Sequence, residues 1–70
     1  MGDVYIVLQF CDGELLDESE HGSRDAAEEG FALAVERANR EAGELNADFR
    51  VEMWGEHVLL ALYDTTAGQP

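Results

Sequence analysis

The sequence predicts an α+β domain of ββαββ order, in which a four-stranded antiparallel sheet carries one amphipathic helix on one face. Three observations carry this reading: a β-rich segment that stops at Asp12-Gly13, a central stretch with apolar residues at helical spacing, and a second β-rich segment broken at Gly55-Glu56. Residues 1–64 are expected to form the single domain, with 65–70 a flexible tail.

The first segment, "VYIVLQFC", is rich in β-branched and aromatic residues and runs into Asp-Gly, the dipeptide best suited to a two-residue hairpin turn. A two-residue loop sets Cys11 opposite Glu14, Phe10 opposite Leu15, Gln9 opposite Leu16, Leu8 opposite Asp17 and Val7 opposite Glu18. Alternation then puts Val4, Ile6, Leu8, Phe10 and Leu15 on one face, and Tyr5, Val7, Gln9, Cys11, Glu14, Leu16, Glu18 and Glu20 on the other.

"HGSRD" ends the second strand and supplies helix-start chemistry, with Ser23 or Asp25 as N-cap and Asp25 with Glu28 at capping-box spacing. Ala27, Phe31, Ala34, Val35, Ala38, Ala42 and Leu45 then recur on one helical stripe, and Gly43 suits a C-terminal stop after Ala42. Acidic residues near the helix start and Arg37 and Arg40 near its end match the helix dipole.

In "ADFRVEMWGEHVLLALYD" a turn at Gly55-Glu56 pairs Trp54 with His57, Met53 with Val58, Val51 with Leu60 and Phe49 with Leu62. The helix is expected on the face holding Ile6, Leu8, Phe10, Val51, Leu60 and Leu62. The first and fourth strands are the most apolar, which points to spatial order 2-1-4-3 with the acidic second strand at an edge, where charge discourages unwanted pairing.

Sixteen acidic residues stand against four basic ones, all arginine, for a formal charge of −12 in 70 residues. Such a field repels nucleic acid and anionic membrane and attracts basic surfaces. A hydrophobic content of 46% is too high for a disordered acidic tail. The lone Cys11, the lack of a basic leader and the lack of an apolar run of membrane-spanning length predict a soluble cytoplasmic protein.

No motif of catalysis or cofactor binding emerges, so a non-enzymatic protein with no cofactor is expected. Cys11, His21 and His57 fall on different elements and lack the convergent spacing of a zinc site. "DGELLDE" does not follow the calcium-loop pattern. Trp54, Tyr5 and Tyr63 resemble in type the aromatic platform of RNA-binding sheets, but such platforms carry a basic rim and here only Arg50 opposes the acids.

Two candidate surfaces follow. One is acidic: Glu14, Asp17, Glu18 and Glu20 on the second strand, Asp25, Glu29 and Glu36 on the helix, and Glu52. Alternate strand residues repeat at about 6.8 Å, close to the spacing of phosphates along a nucleic-acid strand, and Glu14, Glu18 and Glu20 are expected to form one such ladder. The other is an apolar outer face of Tyr5, Val7, Leu16, Trp54, Leu59 and Tyr63, suited to a partner protein or to a homodimer.

In size, charge, sheet-plus-helix architecture and lack of a catalytic motif, the chain resembles the small acidic inhibitors carried by phages and mobile elements, including anti-CRISPR proteins and other DNA mimics. The resemblance implies an inhibitor that occupies a basic nucleic-acid-binding surface of a host defence complex, acting in the host cytoplasm. A small structural or regulatory dimerising domain from a salt-adapted or GC-rich organism is the alternative, because acidic excess without lysine also describes a halophile's solvated surface.

Overall fold

A computed structural model describes residues 4–65 and shows the ββαββ order: β1 (Tyr5–Cys11), β2 (Glu14–His21), α1 (Arg24–Leu45), β3 (Phe49–Gly55) and β4 (Val58–Asp64). All three strand pairings are antiparallel, and the sheet runs β2-β1-β3-β4. The expected order 2-1-4-3 is therefore corrected. With these directions β1 and β4 run the same way, so placing them side by side would require a parallel pair. Putting β3 beside β1 keeps every ladder antiparallel, the slightly more stable pairing per residue.

The β1–β2 turn is at Asp12-Gly13 as expected, with φ of 51° and 86° at the two central residues, the left-handed pair that a two-residue hairpin needs. Cys11 opposes Glu14 and Phe10 opposes Leu15, but the register then slips, so that Gln9 opposes Asp17, Leu8 opposes Glu18 and Val7 opposes Ser19. Leu16 is the extra residue of this bulge, and its insertion moves every later β2 side chain to the other face.

The second hairpin departs further from expectation. Its turn is Glu56-His57, with φ of 49° and 69°, so Gly55 closes β3 opposite Val58 and Trp54 opposes Leu59. A bulge at Leu60 follows, after which Met53 opposes Ala61, Glu52 opposes Leu62 and Val51 opposes Tyr63. The glycine serves close packing rather than the turn: a Cβ on Gly55 would come within 2.8 Å of the Tyr5 ring and 2.9 Å of Leu60.

Ser23 caps α1, its hydroxyl accepting from the Ala26 amide at 3.2 Å, and the helix passes through Gly43 to Leu45 before Asn46 closes it in the left-handed conformation. Gly43 is thus interior to the helix, and the expected stop at Ala42 is too early. The stripe itself is as expected up to Ala42: Ala27, Ala34 and Ala38 are buried, with Phe31, Val35 and Ala42 packed against them, while Leu45 is exposed. Small alanines let the helix approach the sheet closely, over Val7 of β1 and Phe49, Val51 and Met53 of β3.

This packing inverts the expected orientation of β1. Tyr5, Val7, Gln9 and Cys11 face the helix, and Ile6, Leu8 and Phe10 face away from it. On β4 Leu60, at the bulge, packs against the core as expected, but Ala61 and Tyr63 join it there and Leu62 is 55% exposed. Thr65, the first residue of the expected tail, is tied to β3, its amide donating to the Phe49 carbonyl at 2.9 Å, and residues 66–70 lie outside the described residues. No helix among the described residues is long and apolar enough to cross a membrane.

Candidate functional site

Among the described residues, the helix covers one face of the sheet and no element covers the other. Strand pairing arranges this second, open face in three cross-strand rows, each read from β2 to β4: Glu20–Ile6–Trp54–Leu59, then Glu18–Leu8–Glu52–Leu62, then Leu15–Phe10–Arg50–Asp64. Ile6, Leu8, Phe10 and Trp54 are half-buried, and Leu15, Leu59 and Leu62 are exposed. None of these seven apolar side chains belongs to the core cluster under the helix.

A polar chain crosses the middle of this apolar field. Glu52, with only 12% of its side chain exposed, accepts from Trp54 Nε1 at 2.7 Å and forms an ion pair with Arg50, whose Nε lies 2.9 Å from its Oε2, and Arg50 lies 4.9 Å above the centre of the Phe10 ring. The charge-assisted hydrogen bond positions the indole, the ion pair positions the guanidinium, and the ring contact adds a cation–π attraction. The polar groups of the face are therefore fixed in position within the chain itself. Its charge is acidic, with Glu18, Glu20, Glu52 and Asp64 against Arg50.

The structure redistributes the residues singled out in the sequence. Glu18, Glu20, Glu52, Trp54 and Leu59 come together on the open face. Tyr5, Val7 and Tyr63 do not: they face the helix, with Val7 buried and the Tyr63 hydroxyl donating to Asn39 Oδ1. Leu16 sits in the bulge, exposed. Glu14 and Asp17 oppose Cys11 and Gln9 on the helix side, so the expected ladder of Glu14, Glu18 and Glu20 is split by the bulge and only Glu18 and Glu20 remain aligned. Asp25, Glu29 and Glu36 are exposed along α1.

Ile6, Leu8, Phe10, Leu15, Leu62, Arg50 and Asp64 complete the face and were not anticipated as site residues. The legible signal for them was the clean alternation of β3, in which Phe49, Val51 and Met53 are buried while Arg50, Glu52 and Trp54 point the other way. The β1 residues that share a row with the second set follow once the β1–β3 pairing is known.

Cys11, His21 and His57 stay apart. His21 opposes Tyr5, six residues along β1 from Cys11 and so about 20 Å away at the strand rise. Partial burial, then the carboxylates of Asp12, Glu14, Glu41 and Asp48, push the Cys11 thiol above its ordinary pKa, which disfavours the nucleophilic thiolate. Among the described residues no group of three or more His, Cys, Asp or Glu converges to hold a metal ion. What the open face offers chemically is an apolar area with an acidic rim. No protein-family model, curated protein or solved structure matches the chain.

Proposed function

We propose that this chain is an acidic protein-binding inhibitor whose open sheet face docks on a basic protein surface that otherwise takes nucleic acid, as in a host defence complex. The observation that carries the reading is the uncovered field around Leu8, Phe10, Trp54 and Leu62, rimmed by Glu18, Glu20 and Asp64. An apolar field of this kind on a solvated sheet favours association. The rim selects a partner of opposite charge, and Glu18 and Glu20, about 6.8 Å apart along β2, match the spacing of successive phosphates.

Charge also argues for a foreign partner over a second copy. Stacking two open faces would set Glu18, Glu20, Glu52 and Asp64 against their own copies with only Arg50 from each side to offset them. Like charges brought together at an interface cost affinity and suppress wrong partners.

The test is displacement of a labelled duplex from a candidate defence complex, run at two salt concentrations. The expected result is competitive displacement that weakens as salt rises, and its loss in the variant Leu8→Ser/Leu62→Ser. Displacement by the folded double variant as strong as by wild type would remove the open face from the account.

A further inference from the structure

On the covered side of the sheet, α1 leaves a cleft beside the edge strand, about 160 Å³ in volume, between Leu33 and Arg37 of the helix and Asp17 and Ser19 of β2, with Val7 and Gln9 as its floor. The cleft is separate from the open face, which lies across the sheet. Gln9 is 6% exposed, and its Oε1 has no hydrogen-bond partner among the described residues. An unpaired buried amide oxygen destabilises a fold, so a donor that reaches it would be bound with favour.

The groups around that oxygen define the donor. Asp17 stands directly opposite Gln9 on β2, which sets their Cβ atoms about 5 Å apart on the same side. Ser19 follows on that side, its Oγ hydrogen-bonded to His21 Nε2 at 2.9 Å. The His21 ring in turn sits against α1 where Gly30 leaves room, since a Cβ there would lie 2.9 Å from the ring. The cleft's own cation, Arg37, is turned to Glu41, with Nε 3.4 Å from Oε2.

Two adjacent acceptors, one neutral amide and one carboxylate, suit a flat cation with N–H donors on more than one edge. A guanidinium meets that description and is more weakly hydrated than an ammonium, so it loses less on entering a half-buried cleft. Leu33, Val7 and Ala34 supply apolar wall for an alkyl stem. Anions are opposed by Asp17 and by the −12 net charge. From this geometry we infer that the cleft binds a guanidinium-bearing group, with Gln9 Oε1 and Asp17 as its acceptors, presented either by a free small molecule or by an arginine side chain of a protein.

Amide-detected NMR titration of the whole chain tests this with three probes: methylguanidinium, a blocked peptide with one central arginine, and tetramethylammonium as a charge control without donors. The expected result is saturable shifts at the Gln9 side-chain amide, Asp17 and Ser19 with at least one guanidinium probe, and none with tetramethylammonium. Saturation by methylguanidinium assigns a free ligand, and saturation by the peptide alone assigns a protein's arginine. Asp17→Asn, at an exposed position where the fold is not at stake, should weaken the affinity about tenfold, as loss of a charge-assisted hydrogen bond does. No saturation by either guanidinium probe, an equal response to tetramethylammonium, or an unchanged affinity in Asp17→Asn would overturn the assignment.

Discussion

The two faces of β1 differ in the direction opposite to a simple burial rule. Ile6, Leu8 and Phe10 form the more apolar set and lie on the open face, whereas the face under the helix includes Gln9 with an unpaired amide oxygen. A fold shaped only by burial would place the larger apolar set inside. The helix stripe of Ala27, Ala34 and Ala38 packs instead over Val7, Phe49, Val51 and Met53, and the sheet keeps its other apolar set uncovered. Burial is therefore concentrated under the helix, while Leu15, Leu59 and Leu62 on the opposite face stay exposed.

Truncation should separate the faces most sharply. Phe49 is 2% exposed at the centre of the covered side, so Phe49→Ala is expected to cost about 3–5 kcal/mol, which is a large part of the stability of so small a domain. Leu62→Ser, exposed across the sheet, should change stability by less than about 0.5 kcal/mol. Urea unfolding with an unchanged slope measures both, and similar losses at the two positions would erase the distinction.

A smaller effect of opposite sign is expected at Gln9. Replacing it by Met keeps the length of the side chain and removes the orphaned acceptor, so Gln9→Met should raise stability by about 1 kcal/mol. A destabilised Gln9→Met would mean that the amide is satisfied in solution and that the covered face is less strained than its geometry indicates.

The turns provide the next comparison, because they fix which side chains reach which face. Asp12-Gly13 carries glycine where the backbone is left-handed, but Glu56-His57 places two non-glycine residues at φ of 49° and 69°. Exchanging Glu56-His57 for Asn-Gly should therefore stabilise the domain by about 1 kcal/mol with the β3–β4 register unchanged, as read from thermal unfolding and from cross-strand contacts between Trp54 and Leu59. A shift of those contacts would sink the register.

How much of this was legible in the sequence depended on how strongly each segment alternates. The five elements, the Asp12-Gly13 turn and the alanine stripe could be read because β-branched runs, Asp-Gly and helical spacing each have one structural meaning. The orientation of β1 could not, since "YIVLQFC" is apolar on both sides. "VLLALYD" likewise has no polar position before its end to anchor a register. Gly55 resembled a turn residue, while its role is to admit Tyr5 and Leu60. The bulges at Leu16 and Leu60 leave no compositional mark, yet the first divides the acidic strand and the second sends Leu62 to the open face.

The smallest expected effect lies at the end of the covered face. Because partial burial and nearby carboxylates raise the Cys11 pKa, its alkylation near neutral pH should be slower than that of an unstructured peptide thiol, and Glu14→Gln with Asp48→Asn should speed it. The linkage has one sign. Folding favours the protonated thiol, so this contribution to stability is present below the unfolded-state pKa and is lost as pH rises through the higher folded-state value. An alkylation profile that matched the free peptide would contradict it.

The central claim is that the open face binds a basic partner. Its most direct measurement is competition against duplex DNA for the nucleic-acid site of a defence complex, comparing wild type with Leu8→Ser/Leu62→Ser, with Glu18→Gln/Glu20→Gln, and with Glu29→Gln/Glu36→Gln on the outside of the helix. The account predicts that the first variant loses competition, that the second binds more weakly and with a shallower salt dependence, and that the helix variant competes more strongly than the second although it has lost the same charge. Equal competition by the Glu18/Glu20 and Glu29/Glu36 variants, with Leu8→Ser/Leu62→Ser unimpaired, would contradict it.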